Sequence, residues 1–267
     1  MQQNNKQKIQ GNFKHPYLSI LLLFMLVCLS ACGEVNIFGS KDKEADLSLP
    51  IRQLLTKGMK SFNEGDYYTA LKHFDKILDM DPFSPEATLA ELKAADSHFF
   101  RKEYEEAKLL YEEFEERHPT NEAISYVMYQ KAMCSYKQIK RIDQDISSAQ
   151  DAIRGFTQLL TAYPNSPFTD EARARIRAAK EFLVNHEFFV VKFYLKQKKY
   201  SQAEVRLKYI ISTYPNSTYT PQAKEILEAI QAGNPPTNSF FSWLPEIALP
   251  DWLTFSDNTP KESVQRQ

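Results

Sequence analysis

Through the middle of the chain, apolar residues recur at three- and four-residue steps, the spacing that gathers side chains on one face of an α-helix. Tyr67, Ala70, Phe74 and Leu78 form one such stripe, and Tyr104, Ala107 and Tyr111 another. The stripes stand in a fixed relation to proline. Ala70, Ala107, Ala152 and Ala203 each lie twelve residues ahead of one, at Pro82, Pro119, Pro164 and Pro215. Four residues after each alanine comes a bulky apolar side chain, Phe74, Tyr111, Phe156 or Leu207. Three residues before it stands Tyr67, Tyr104 or Tyr200, and the third copy departs with Ala149. A small alanine lets two antiparallel helices approach closely, the bulky residue one turn on fills the space beside it, and the proline ends the second helix. The pattern therefore predicts four helical hairpins between residues 51 and 215, and one further helix over Thr220–Ala232.

Alanine, bulky residue and proline at these offsets resemble the second half of a tetratricopeptide repeat, a helix–turn–helix unit of about 34 residues. The expected fold is all-α, a tetratricopeptide-repeat solenoid of about four and a half repeats. Pro50 should open the first helix, where its missing N–H does no harm. The first copy, residues 51–82, carries Gly58, Gly65, Tyr67, Ala70, Phe74, Leu78 and Pro82 at the repeat positions. The second, over 86–119, keeps Ala95, Tyr104, Ala107, Tyr111 and Pro119. The third is longer, because Ala152 follows Ala107 by 45 residues. Its surplus falls in Lys140-Arg141-Ile142-Asp143-Gln144-Asp145, which suits a loop, with Ser147 or Ser148 as the cap of the helix that follows. The fourth has a long first helix over Thr169–Lys198, free of Gly and Pro. Such repeats bury their core only by stacking, and the stack offers a concave surface to partners.

The residues ahead of Cys32 carry a different signal. Lys6, Lys8 and Lys14 precede an uncharged apolar run from Leu18 to Leu29, followed by Ser30-Ala31-Cys32-Gly33. A short apolar core ending in small residues marks a signal peptide rather than a transmembrane helix. Leu29-Ser30-Ala31-Cys32 resembles the bacterial lipobox, which implies cleavage before Cys32 and acylation of its thiol; the alternative is an ordinary secretory signal that ends at a cysteine. Several acyl chains would anchor the protein durably, at ~0.8 kcal/mol per buried methylene. Gly33, where the resemblance places an aspartate in lipoproteins kept at the inner membrane, implies the outer membrane, facing the periplasm. The chain thus divides into a signal peptide (1–31), a lipidated N-terminus and tether (32–50), a repeat domain (51–232) and a tail (233–267). With Cys28 removed and Cys32 acylated, only Cys134 remains, so no intrachain disulfide is expected. Cys134 reads as a small core residue.

Charge and motifs narrow the function. The signal segment holds three lysines and no acid, so a net charge of −1 for the whole chain becomes −4 without it. That balance disfavours nucleic acid, whose recognition needs clustered Lys and Arg. His73, His98, His118 and His186 are scattered, and no metal-ligand spacing, phosphate loop or nucleophile elbow occurs. No metal, no cofactor and no catalysis are expected. The acidic pairs Glu112-Glu113 and Glu115-Glu116 read as solvated helix surface.

Tyr126-Val127-Met128-Tyr129, the Asp143-Gln144-Asp145 insertion, Tyr163-Pro164-Asn165-Ser166 followed by Phe168-Thr169, and the long helix through Phe188, Phe189 and Tyr194 together resemble the BamD family. These are the tetratricopeptide lipoproteins of the outer-membrane β-barrel assembly machinery. The resemblance runs over roughly residues 20–230; it departs where a fifth repeat is reduced to one helix, and in the tail. It implies a non-enzymatic scaffold that contacts the periplasmic domains of BamA, other Bam lipoproteins and unfolded outer-membrane β-barrel proteins. N-terminal repeats would face substrate and C-terminal repeats the machinery. The competing reading is a pilot lipoprotein for a secretin or pilus system. A peptidoglycan-associated repeat protein would add a coiled coil, and no sustained heptads occur.

In tetratricopeptide repeats the first helix of each pair lines the groove. The register places Leu55, Met59 and Phe62 there, then Leu92, Asp96 and Phe99, then Tyr126, Tyr129, Met133 and Tyr136. An aromatic, methionine-bearing stripe suits varied apolar peptides, with Asn63 or Lys137 for backbone groups; the alternative is that the stripe is core. For machinery docking the fourth repeat offers Arg206 and Lys208, which are otherwise a solvated face. The tail places aromatic clusters around Trp243 and Trp252 after a Pro-containing linker, suited to packing on the stack, a partner groove or a membrane interface.

Overall fold

The computed structural model describes residues 49–236, except Ile142. The signal segment, Cys32, most of the tether and the tail from residue 237 lie outside the described residues. Within them are nine helices and no strand: α1 (Ile51–Glu64), α2 (Tyr67–Met80), α3 (Pro85–Phe100), α4 (Tyr104–Arg117), α5 (Ile124–Lys137), α6 (Ser147–Ala162), α7 (Thr169–Lys196), α8 (Tyr200–Thr213) and α9 (Thr220–Gln231). Each helix packs chiefly on its neighbours in sequence. Joined by short turns, they form the stacked antiparallel hairpins of a tetratricopeptide-like solenoid.

The repeat positions explain the stacking. All four alanines, and the bulky residues four positions on, are fully buried. A third position, seven after the alanine, completes the motif with Ile77, Phe114, Leu159 and Ile210, at most 1% exposed. Burying a side chain of this size contributes about 2–3 kcal/mol. Gly58 is the complement of Phe74: a Cβ there would stand 2.6 Å from Phe74 Cε1, so only glycine lets α1 approach α2 this closely.

Proline ends each hairpin through the residue before it. Asp81, His118, Tyr163 and Tyr214 still donate their N–H to the carbonyl four residues back, but their ψ values are 88°, 52°, 66° and 57°. A following proline excludes the helical conformation at that residue. At α2 and α3 the start is set by a short polar side chain. The Asp66 carboxylate accepts from Thr69 N, and hydrogen bonding from the Thr69 side chain and then its N–H lowers the carboxyl's pKa; Ser84 Oγ accepts from Ala87 N.

Some boundaries fall elsewhere than the sequence predicts. Pro50 lies one residue outside α1, with ψ 143°. Neither Ser147 nor Ser148 caps α6; Ser147 is its first residue, and the Asp145 carboxylate two residues back receives the Ser147 N–H at 3.0 Å. An aspartate in the inserted loop thus takes the serine's role. The α7 helix stops at Lys196, because Lys198 adopts left-handed backbone with φ 56°; α9 stops at Gln231.

Two hydrophobic clusters run through the stack. One joins α3, α4, α5 and α6 to the first half of α7. The other joins the second half of α7 to α8 and α9.

Candidate binding surfaces

The stripe predicted to line a groove divides in two. Leu92, Phe99, Tyr129, Met133 and Tyr136 are buried, between 2% and 9% exposed. Leu55, Met59, Phe62 and Tyr126 are half-buried. Helices that neighbour α3 and α5 on both sides cover the middle of the stripe, whereas among the described residues no helix precedes α1. Leu55 and Met59 consequently line an open depression of about 590 Å³, with Thr56, Lys60, Asn63 and Glu64 at its rim. Phe62, next on that helix, sits in an aromatic nest, edge-on to Tyr67 at 5.3 Å and Phe100 at 5.7 Å. The Lys93 ammonium lies 5.0 Å above its ring.

Behind α1, Asp96 organises the second and third repeats. Its buried carboxylate accepts from Tyr111 Oη at 2.6 Å and Tyr126 Oη at 2.8 Å, both on Oδ1, and from Lys93 Nζ at 2.9 Å on Oδ2. Gln130 Nε2 donates to Tyr126 Oη at 2.9 Å. Three helices are therefore tied to one charge. Burial, reinforced by the Asp96 charge, pushes both phenols well above their ordinary pKa. Asp96 thus braces the stack from within rather than facing a ligand.

Tyr129 and Tyr136 occupy a second aromatic layer. Tyr129 stacks on Phe168 at 4.9 Å, and the Arg175 guanidinium lies 5.1 Å from the Tyr136 ring while donating to Glu171 at 2.8 Å. The hydroxyls of Tyr129 and Tyr136 are buried beside this Glu171–Arg175 pair, and burial pushes both phenols above their ordinary pKa. Cys134 is buried in the same core, and burial pushes its thiol up, away from nucleophilic use.

Both docking candidates of the fourth repeat hold partners in their own chain. Arg206 donates to the buried Glu187 carboxylate at 3.3 Å, joining α8 to α7. Lys208 pairs with Glu204 one turn back at 2.8 Å and depresses that carboxyl's pKa. Lys208 is exposed and Arg206 half-exposed, so both reach solvent from α8. Among the described residues no group of three His, Cys, Asp or Glu side chains is placed to hold a metal ion, and no helix is long and apolar enough to cross a membrane.

A stack of this length, with the long α7 after an inserted loop, can be set against known families. The profile described as "YfiO: Outer membrane lipoprotein" matches residues 48–234, which spans every helix above. The chain belongs to this family of outer membrane lipoproteins. Among its relatives, a Rickettsia prowazekii protein is 30% identical over 206 residues, covering 77% of this chain and 79% of the relative. A Pasteurella multocida protein is 26% identical, covering 77% and 82%, and a Neisseria gonorrhoeae protein 25% identical, covering 78% and 82%. Each of the three is named an outer membrane protein assembly factor, BamD. Membership places this chain at the outer membrane and within the BamD family. The tail beyond residue 234 lies outside the match.

Proposed function

We propose that this lipoprotein is a non-catalytic scaffold of the β-barrel assembly machinery, which binds the periplasmic domains of BamA and unfolded outer-membrane proteins and promotes their insertion. The observation that carries the reading is the match to the assembly-factor family across the entire helical stack. Anchoring through acylated Cys32 would hold the stack at the periplasmic face, within reach of emerging barrels.

The open face of α1 is where an unfolded barrel segment would bind. Leu55 and Met59 supply an apolar, adaptable floor, and Asn63, Lys60 and Glu64 can hydrogen-bond an extended backbone. Arg206, projecting from α8 on the buried Glu187, would contact the machinery at the other end of the stack. Docking there requires only that an incoming carboxylate share the guanidinium, which has five donors.

The test uses the full chain and a synthetic peptide from the C-terminal strand of an outer-membrane barrel. Leu55→Glu/Met59→Glu should weaken peptide binding by roughly tenfold or more, since two apolar contacts are replaced by charge in the binding face. Unchanged affinity would remove α1 from the substrate surface.

A further inference from the structure

Helix α7 changes its buried face half-way along. Successive residues advance by about 100° around a helix. Ala172, Ala178, Ala179, Phe182 and Leu183 belong to the cluster shared with α5 and α6, whereas Val184, Phe188, Val191 and Leu195 belong to the one shared with α8 and α9. Projected down the axis, the two sets are centred roughly half a turn apart. The last two helices therefore cover only the C-terminal half of α7. The stripe that they cover continues toward the helix N-terminus as Arg173, Arg177 and Lys180, and there it is bare: all three side chains are exposed.

The electrostatics of this ledge differ from those of the other arginines. Seven of the nine arginines in the described chain hold an ion pair with one of its carboxylates. The remaining two are Arg173 and Arg177, one turn apart on the same face, with Lys180 completing the row. Like charges at this spacing repel, and no carboxylate of the described chain closes an ion pair with any of the three, although Asp170 and Glu181 lie one turn from Arg173 and Arg177. Asp170 forms no ion pair with Arg173. Glu181, adjacent in sequence to Lys180, is turned to the α8–α9 turn, where it accepts from Ser217 Oγ at 2.7 Å and Thr218 N at 3.0 Å.

We propose that this ledge is a docking surface for a carboxylate-bearing segment of a partner protein. It is separate from the α1 face and from Arg206, and does not depend on either. The row is about 10 Å long, which matches acidic side chains spaced three and four apart on one helix. Each guanidinium can take a carboxylate in bidentate fashion. A protein segment fits better than an anionic lipid surface for two reasons. Three cations fall short of the cluster of about four to eight that holds a peptide to such a surface. The chain that surrounds them is also net acidic, at −4 once the three-lysine signal segment is discounted.

The experiment titrates the full chain with a helical peptide bearing glutamates at three- and four-residue steps, with its glutamine counterpart, and with phosphatidylglycerol vesicles. The Glu peptide should bind and the Gln peptide should not. Arg173→Ala/Arg177→Ala/Lys180→Ala should lose roughly tenfold or more in affinity for the Glu peptide, as expected when charge-assisted contacts are removed. The control Lys192→Ala/Lys196→Ala/Lys199→Ala, farther along the same repeat, should lose much less. The ledge variant should melt no lower than the unaltered protein, because repulsion has been removed, so its loss would not reflect unfolding. Equal losses in both variants, equal binding of the two peptides, no binding of the Glu peptide, or a ledge-dependent affinity for vesicles instead of peptide would each overturn the proposal.

Discussion

Inside three of the hairpins, the residue two places before the repeat tyrosine adopts left-handed backbone. In the first hairpin it is Gly65, with φ 82°; in the second and fourth it is Lys102 and Lys198, with φ 65° and 56°. The turn requires this conformation, and a side chain there strains against its own carbonyl by roughly 1–2 kcal/mol. Lys102→Gly and Lys198→Gly should each stabilise the stack by about 1 kcal/mol, seen as a rise of about 2–4 °C in the thermal midpoint. Gly65→Ala should do the opposite, although the space around it is empty, because its cost lies in the backbone. The buried phenols of Tyr111 and Tyr126 make a second residue-level prediction. Their pKa values in the folded chain lie well above the ordinary 10.0, through burial and then the charge of Asp96. A pKa raised on folding gives stability that is complete below the unfolded value and lost as pH climbs past it. Alkaline titration above about pH 10 should therefore unfold the chain as these phenols ionise. In Tyr111→Phe/Tyr126→Phe, the number of tyrosines ionising in step with loss of helical circular dichroism should fall by two.

The helices show which parts of the fold were legible beforehand. The alanine, the bulky residue and the proline could be read because they act within one hairpin, over a dozen residues. Ala149 marked the third copy as irregular, and the irregularity is a helix that starts further ahead of its alanine, at Ser147. The groove was less legible. Tyr129, Met133 and Tyr136 have the spacing of a face, but whether a face is open depends on what packs beside it, here Arg175 of α7 and Phe168 just ahead of that helix. The change of face along α7 had a trace in the sequence, the adjacent apolar pair Leu183-Val184, where one stripe ends and the next begins. At this same level of structure, the Glu181 carboxylate fastens the start of α9 through Ser217 and Thr218. Glu181→Ala should loosen α9 by about 1 kcal/mol, the scale of a partly exposed hydrogen-bonded carboxylate. Hydrogen exchange should quicken over residues 217–231 and stay unchanged over α1 to α6; uniform change along the chain would mean that α9 is not held there.

For the whole molecule, the account is of a lipid-anchored stack with different surfaces at different heights. The α1 face presents Leu55 and Met59 in an open depression, with no described helix ahead of it. Arg206 stands on a buried glutamate in the last full repeat, and the Arg173–Arg177 ledge is bare because α8 and α9 are shifted along α7. A solenoid suits this arrangement, since each repeat contacts mainly its neighbours and leaves its own outer positions free for a partner. The central claim is that these surfaces serve barrel assembly. The most direct measurement is to purify the lipidated full-length protein from gently solubilised outer membranes of its own host and to quantify what accompanies it. The account predicts BamA in near-equal amount, reduced when Arg206 is replaced by glutamate. A secretin or pilus component in that place, with BamA absent, would contradict it and assign the stack to a pilot lipoprotein.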